Sequence, residues 1–192
     1  MEYAILFLPL IGSLIGYLGR STTKYFAEIS TSLFVSISAM LSILVFWNGI
    51  QNDSYGNYKI FEWISSGGFI ANWSIKIDPL SSIMLVVVTF VSALVHIYSI
   101  GYMSHDPHKP RFMSYLSLFT FSMLALVVSD NFLQLFFGWE GVGLCSYLLI
   151  GFWYKKETAN NAAIKAFIVN RIGDFGLAIA IFLIFFFFGT IN

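Results

Sequence analysis

Apolar residues run along this chain in six long blocks separated by short polar joints: Tyr3 to Leu18, Tyr25 to Ile50, Ser81 to Met103, Phe112 to Val128, Asn131 to Trp153 and Ala162 to Phe188. Most match the ~20 residues needed to cross a hydrocarbon layer ~30 Å thick, so the pattern predicts about six membrane-spanning helices. The first block is the shortest and carries Pro9, which removes a backbone donor. A membrane helix keeps such a proline when a neighbouring group satisfies the freed carbonyl. Glu28, near one end of the second block, is expected to carry its charge to the interface.

The joint between the second and third blocks has a different period. Ala71, Trp73, Ile75 and Ile77 alternate with Asn72, Ser74, Lys76 and Asp78. With Lys59 to Ile64 before them and Ser66-Gly67-Gly68 as a turn, residues of about 58–78 are predicted to form a β-hairpin on the membrane surface, in mechanical contact with the rest of the protein or a neighbour. The fold class is therefore an all-α integral membrane protein with one short surface hairpin between helices 2 and 3.

Composition agrees with that class: 58% of residues are hydrophobic and 10% charged, against about 25% charged in an ordinary soluble domain. The net charge of zero hides an asymmetry along the chain and by itself says nothing about nucleic acid, which is not expected as a partner. One cysteine, Cys145, is too few for a disulfide or a thiolate-held iron–sulfur or zinc site within the chain. The start, Met1-Glu2-Tyr3, lacks a basic signal-peptide region, so the first block reads as a retained span. Lysine and arginine give the orientation. Arg20, Lys24, Lys109, Arg111, Lys155, Lys156, Lys165 and Arg171 fall on one side, with only Lys59 and Lys76 opposite. That bias puts the eight on the inner side and the N-terminus, hairpin and C-terminus outside, with Trp153 and Tyr154 beside Lys155 and Lys156 as an interfacial anchor.

The chemistry concentrates in the fifth and sixth blocks. Glu140 lies nine residues into NFLQLFFGWEGVGLCSYLLIGFW, roughly 14 Å along a helix and near mid-membrane. A carboxylate there carries an insertion penalty of about 2.5–3.5 kcal/mol, so it either marks an ion path or is held neutral or hydrogen-bonded as a packing element. Gly138, Gly141 and Gly143 clear space for a neighbouring helix around it, which predicts an inward-facing side chain. Phe175 to Phe188 is too short to span, so the sixth helix must take Asn170 to Asp174 into the bilayer, and Arg171 and Asp174, three apart, share a face as an ion pair. His96 in the third block either relays protons or bonds a neighbouring helix. His105 and His108 in SHDPHKP form a solvated loop rather than a metal pair, because the prolines interrupt any helix that would align them.

DNFLQLFFGWEGVGLCSYLLIGFW, AAIKAFIVNRIGD and DPLSSIM resemble the N-terminal part of chain 5, or subunit L, of respiratory complex I, the proton-pumping NADH:quinone oxidoreductase. The resemblance extends over essentially the whole chain, and GWEGVGLCSYLLIGFW is closer to this branch than to the homologous sodium/proton antiporter subunits. It implies an antiporter-like membrane-arm subunit of a bacterial or mitochondrial inner membrane, docked against other membrane-arm subunits and lipid. NADH, FMN, iron–sulfur clusters and quinone would be bound by other subunits, and none by this chain. Residues 1–128 would form an N-terminal membrane region and 129–192 the start of the proton-translocating domain, with Glu140, Arg171, Asp174, Lys165 and His96 as candidate proton-translocation residues. In the family the matching glutamate faces a lysine on the helix after the next, and the matching arginine and aspartate lie toward the cytoplasmic side. Family members are much longer, so the chain reads as a fragment, a truncated product or one piece of a split subunit, with that lysine beyond it. The other functions weighed are a multi-subunit sodium/proton antiporter subunit and a non-conducting scaffold fragment.

Overall fold

The computed structural model describes residues 1–19, 25–67 and 69–191. In chain order the elements are α1 (Glu2–Leu18), α2 (Phe26–Asn52), β1 (Gly56–Ser66), β2 (Phe69–Ile77), α3 (Pro79–Tyr102), α4 (Lys109–Val127), α5 (Phe132–Ile150) and α6 (Glu157–Phe188). Five of these helices, α2 to α6, are long and apolar enough to cross a membrane, while α1 has 17 residues and spans ~26 Å. The predicted architecture is therefore present, with α1 as the short member. Arg20, Lys24 and Gly68 lie outside the described residues.

Helices α1 to α4 form a ring in which α1 packs on α2 and α4, α2 on α3, and α3 more lightly on α4; α5 then lies on α4, and α6 on α5. Lipid tails are as apolar as leucine, so close packing and interhelical hydrogen bonds hold such a ring together. Its interior is accordingly rich in hydroxyls. Pro9 deprives the Ile5 carbonyl of its usual donor, and Ser38 Oγ of α2 donates to that oxygen at 2.7 Å. Ser117 Oγ of α4 donates to the Pro9 carbonyl at 2.7 Å, so α1 runs unbroken through its proline. Ser42 and Thr89 bond at 2.7 Å between α2 and α3.

The hairpin adopts the expected antiparallel pairing from Gly56↔Ile77 to Ser66↔Phe69. Gly67, at φ +58°, takes the left-handed conformation that the turn requires and an L side chain resists. The alternating residues Ala71, Trp73, Ile75 and Ile77 are all buried. Gln134, wholly buried at the start of α5, fixes the hairpin to the helices: its Nε2 donates to the Ser74 carbonyl at 2.7 Å and its Oε1 accepts from Ser74 N at 3.1 Å. Asn131 Nδ2 donates to the Asn72 carbonyl at 2.7 Å. Trp73 adds an edge contact to the Phe137 ring, 4.7 Å between centroids. The hairpin is thus a clasp across the ends of α3 and α5 rather than a free surface flap.

Asp78 starts α3. Its carboxylate accepts from Ser81 N at 2.7 Å, and its own N–H donates to Ser81 Oγ at 2.8 Å, a reciprocal cap. The Ser81 N–H bond holds the Asp78 carboxyl below its ordinary range. A carboxylate whose folded value is depressed stabilises the fold above its unfolded value, about pH 3.9, and loses that contribution as pH falls through the folded value. Acid should therefore release protection of the Ser81 amide from hydrogen exchange. Asp78→Asn, which keeps a capping oxygen, should remove that acid sensitivity.

Gly138 sets the approach of α5 to α4. A Cβ there would lie 2.6 Å from the Leu126 backbone nitrogen, whereas at Gly141 it would meet the movable Ser122 hydroxyl at 2.8 Å. Backbone cannot swing aside, so Gly138→Ala should destabilise the helix pair by about 1–3 kcal/mol and Gly141→Ala by less, read by detergent-denaturation midpoints. Gly143, predicted with them, meets only Asn170 of α6, at 4.0 Å.

One expectation is corrected. Glu28 does not turn out to solvent: in the first turn of α2 it is 1% exposed, and Lys109 Nζ, on the first residue of α4, lies 2.5 Å from its Oε1. Neither carboxylate oxygen has a hydrogen-bond partner among the described residues. Lys109 also sits over the Tyr25 ring at 4.6 Å. A short, buried carboxylate near the end of a span reads from sequence like a snorkelling one, because its partner arrives from two helices further along the chain.

Candidate functional site

Glu140 stands on the face of α5 that meets α6. Arg171, on α6, presents Nη1 to both of its oxygens, at 2.5 and 2.6 Å. The same Nη1 lies 3.5 Å from Asp174 Oδ2, one turn further along α6. Asp174 is 5% exposed, and its other oxygen accepts from Trp139 Nε1 at 2.8 Å. One guanidinium therefore bridges two carboxylates on adjacent membrane helices, and an indole donor fixes the second carboxylate in place. The guanidinium also lies over the Phe167 ring, with Cζ 4.9 Å from its centroid, a cation–π contact beside its contacts to the acids.

The local Arg171–Asp174 pair follows the i, i+3 spacing read from sequence. The bond from Arg171 to Glu140 crosses 31 residues, and it is the shorter contact. Glu140 faces α6 with its side chain 25% exposed. Lys165 is exposed on α6, and among the described residues no ion pair joins it to this cluster. Trp139 was missed as a member of the site; an indole next to a membrane carboxylate was the available signal.

His96 lies elsewhere, wholly buried in the α1–α4 ring. Its Nδ1 is 2.8 Å from the Ser92 carbonyl one turn back, which favours the tautomer with the proton on Nδ1, and 3.3 Å from Ser92 Oγ. Ser92 Oγ in turn bonds Thr120 Oγ1 of α4 at 2.5 Å. Nε2 of His96 is buried with no hydrogen-bond partner among the described residues. The histidine thus bonds its own helix and reaches α4 through a hydroxyl, separate from the Glu140 cluster. Cys145 is a free, buried thiol beside Ser122, at 3.8 Å. His108 lies in the turn before α4, where its N–H donates to Asp106, and no group of three metal-ligating side chains occurs among the described residues.

An arginine half exposed on α6 thus joins two carboxylates on two apolar helices of a multi-pass helical protein. Comparison with known proteins makes the class particular. Residues 63–113 match the family model of the complex I chain 5 N-terminus, and residues 129–192 the membrane region shared by NADH:quinone oxidoreductase and Mrp antiporters. The chain is 54% identical over its full length to NADH-ubiquinone oxidoreductase chain 5 of Triticum aestivum, and 53% identical over 98% of its length to NADH-quinone oxidoreductase subunit L of Rickettsia bellii. From end to end it resembles the N-terminal part of chain 5 / subunit L of complex I, and it is a multi-pass protein of a bacterial or mitochondrial inner membrane. It spans 29% of the length of each of those two relatives. Those relatives are subunits of an oxidoreductase complex. In fold it is similar to a chain of the Mrp complex from Dietzia, with a TM-score of 0.79 at 24% identity over 98% of this chain and 20% of that one. A chain of an archaeal membrane-bound sulfane sulfur reductase gives 0.78 at 18% identity, over 98% and 28%.

Proposed function

We propose that this chain is part of a proton-translocating membrane subunit of NADH:quinone oxidoreductase, and that Glu140, Arg171 and Asp174 are its titrating core. Nη1 of Arg171, in contact with Glu140 and within 3.5 Å of Asp174, is the observation that carries this reading. The guanidinium stays charged at any working pH. Two carboxylates and one guanidinium leave one net negative charge between two apolar helices, which one added proton neutralises. While Arg171 rests on Glu140, the guanidinium supplies that carboxylate's counter-charge. When the guanidinium shifts wholly to Asp174, Glu140 loses its counter-charge and a proton takes its place. Return of the guanidinium expels the proton. The displacement is a rotamer change of one side chain, over a couple of ångströms, so a small movement of α6 against α5 is enough to drive it.

In this reading the driving movement originates in quinone reduction by partner subunits of the membrane arm and their redox groups, and this chain contributes no redox centre. Lys165 and His96 lie away from the core, so we assign them to the approaches: Lys165 to the inner-facing end of α6, and His96 to a hydroxyl-lined branch through Ser92 and Thr120. The homologous sodium/proton antiporters give the second reading, supported by the membrane-region model that the two families share.

NADH-driven proton uptake in vesicles carrying the assembled complex tests both. Arg171→Met should lower the ratio of protons moved to electrons transferred with the subunit still incorporated, and Arg171→Lys should lower it less. Transport that requires sodium and proceeds without NADH would move the assignment to the antiporter reading.

A further inference from the structure

Helices α2 and α3 meet along a seam whose register is fixed by a few contacts. Ser42 bonds Thr89 at 2.7 Å, and Val35 and Ala39 pack on Ala93. The two helices are therefore antiparallel, and stepping back along α2 while stepping forward along α3 sets Val35 opposite His96 and Ser32 opposite Ser99. Glu28, Ser32, Val35, Ala39 and Ser42 fall at helical spacing on one face of α2, and Thr89, Ala93, His96 and Ser99 on one face of α3; all of them are buried. Toward Glu28 the seam turns polar. Thr31 and Ser99 spend their hydroxyls on the carbonyl one turn back, on Ala27 and Val95, at 2.7 Å each. Ser32 makes no such bond: its Oγ, both Glu28 oxygens and His96 Nε2 are buried with no hydrogen-bond partner among the described residues.

The balance of donors and acceptors decides what fits between these groups. His96 Nδ1 lies 2.8 Å from the Ser92 carbonyl, so the ring proton sits there and Nε2 is left as an acceptor. Glu28, as the partner of Lys109, also only accepts. Apart from the Lys109 ammonium, 2.5 Å from Glu28 Oε1, the seam has one uncommitted hydroxyl hydrogen, that of Ser32, placed between the two acceptors. One hydrogen cannot serve both. Lys109 already supplies the counter-charge of Glu28, so the partner that both ends call for is a neutral donor and not a cation.

We propose that this seam is a binding site for ordered water, with one molecule between His96 Nε2 and the Ser32 and Ser99 hydroxyls and a second between Ser32 and Glu28. A water molecule brings two donors as well as two acceptors, and a buried one typically makes about three hydrogen bonds to polar groups that lack other partners. Along the helix axes Ser32 lies about 6 Å from Glu28 and about 4.5 Å from the level of His96, steps that one bridging water each can cover. Because His96 and Thr120 both meet Ser92, the two waters complete a hydrogen-bonded tract from Lys109 and Glu28 through Ser32 and His96 to Thr120. Under the proton-translocation reading this tract is the way into the His96 branch; the water sites themselves do not depend on that reading.

The test is an experimental density map of the assembled complex, at a resolution that shows ordered water. Wild type should show a peak about 2.7–3.2 Å from His96 Nε2 and from Ser32 Oγ or Ser99 Oγ. Ser32→Ala/Ser99→Ala removes two of its partners at little cost in volume, and should lower the peak about twofold or more relative to waters elsewhere in the same map. Ser54→Ala, beyond the end of α2, should leave it unchanged. No peak beside Nε2 in wild type, or a peak undiminished in the double variant, would overturn the proposal. A peak ringed by oxygens at about 2.0–2.6 Å would be a metal cation and would overturn the assignment to water. The ratio of protons moved to electrons transferred, measured on the same preparations, reads the translocation proposal separately, so that either can fail without the other.

Discussion

Glu140→Gln should uncouple the assembled complex: NADH oxidation continues, while fewer protons move per electron, and the amount of incorporated subunit stays near normal. Glutamine keeps the shape of the side chain and can still accept from Arg171 through its amide oxygen, but it cannot bind or release a proton. A purely structural Glu140 would therefore tolerate the change, which is why this substitution separates the two roles. Glu140→Asp keeps a titratable group one methylene further from the guanidinium, now 2.5 Å away. It should retain part of the pumping, ranking wild type first, aspartate second and glutamine last. Subunit content in the same membranes must be measured alongside, because a variant that fails to assemble imitates a transport defect.

The second large effect is on stability. Glu28 and Lys109 have side chains 1% and 9% exposed and lie 2.5 Å apart. Removing one partner leaves the other charge buried without compensation, a loss of about 3–5 kcal/mol, so Glu28→Ala or Lys109→Ala should lower the denaturation midpoint sharply or prevent insertion. Removing both is a different matter. Glu28→Met/Lys109→Met replaces the pair with apolar groups of similar length, and such replacements are often neutral or stabilising. The double variant should recover most of what either single variant loses, with coupling well above the ~0.5 kcal/mol within which independent sites add. Additive losses would mean that the two charges do not act on each other.

These two clusters show how much could be read from the chain before its structure. Hydropathy placed every helix to within a few residues, because crossing a ~30 Å apolar layer requires a long run of apolar residues in each. The hairpin was legible from its period of two, and its turn from the glycines. The pair Arg171–Asp174 was legible because it is local, three residues apart on one helix. What escaped was non-local polarity. The Arg171 to Glu140 bond links two helices, the Glu28–Lys109 pair joins α2 to α4, and Gln134 meets Ser74 across 60 residues. In each case one partner looks, in isolation, like an interfacial charge or a stray amide. A polar residue inside an apolar run signals that a partner exists, but the period of the run does not say which helix supplies it.

Pro9 is the opposite case. The rule that a freed carbonyl must find a donor foretold a bond without naming the donor, which proves to be Ser38 on α2. His96 stays between the two: Ser92, which bonds it, and Thr120, which bonds Ser92, are hydroxyls of the kind its surroundings offered, and an Nε2 with no hydrogen-bond partner among the described residues is the feature no pattern of residues announced.

Infrared difference spectroscopy of the assembled complex, with and without NADH, tests the central claim most directly, because a protonated carboxyl has a C=O stretch distinct from that of a carboxylate. If Glu140 gains and loses a proton as Arg171 shifts between its two acids, turnover should produce a carboxyl band that disappears in Glu140→Gln and moves in Glu140→Asp. An unchanged set of carboxyl bands in Glu140→Gln, with assembly intact, would contradict it and leave the bridged cluster as a fixed brace between α5 and α6.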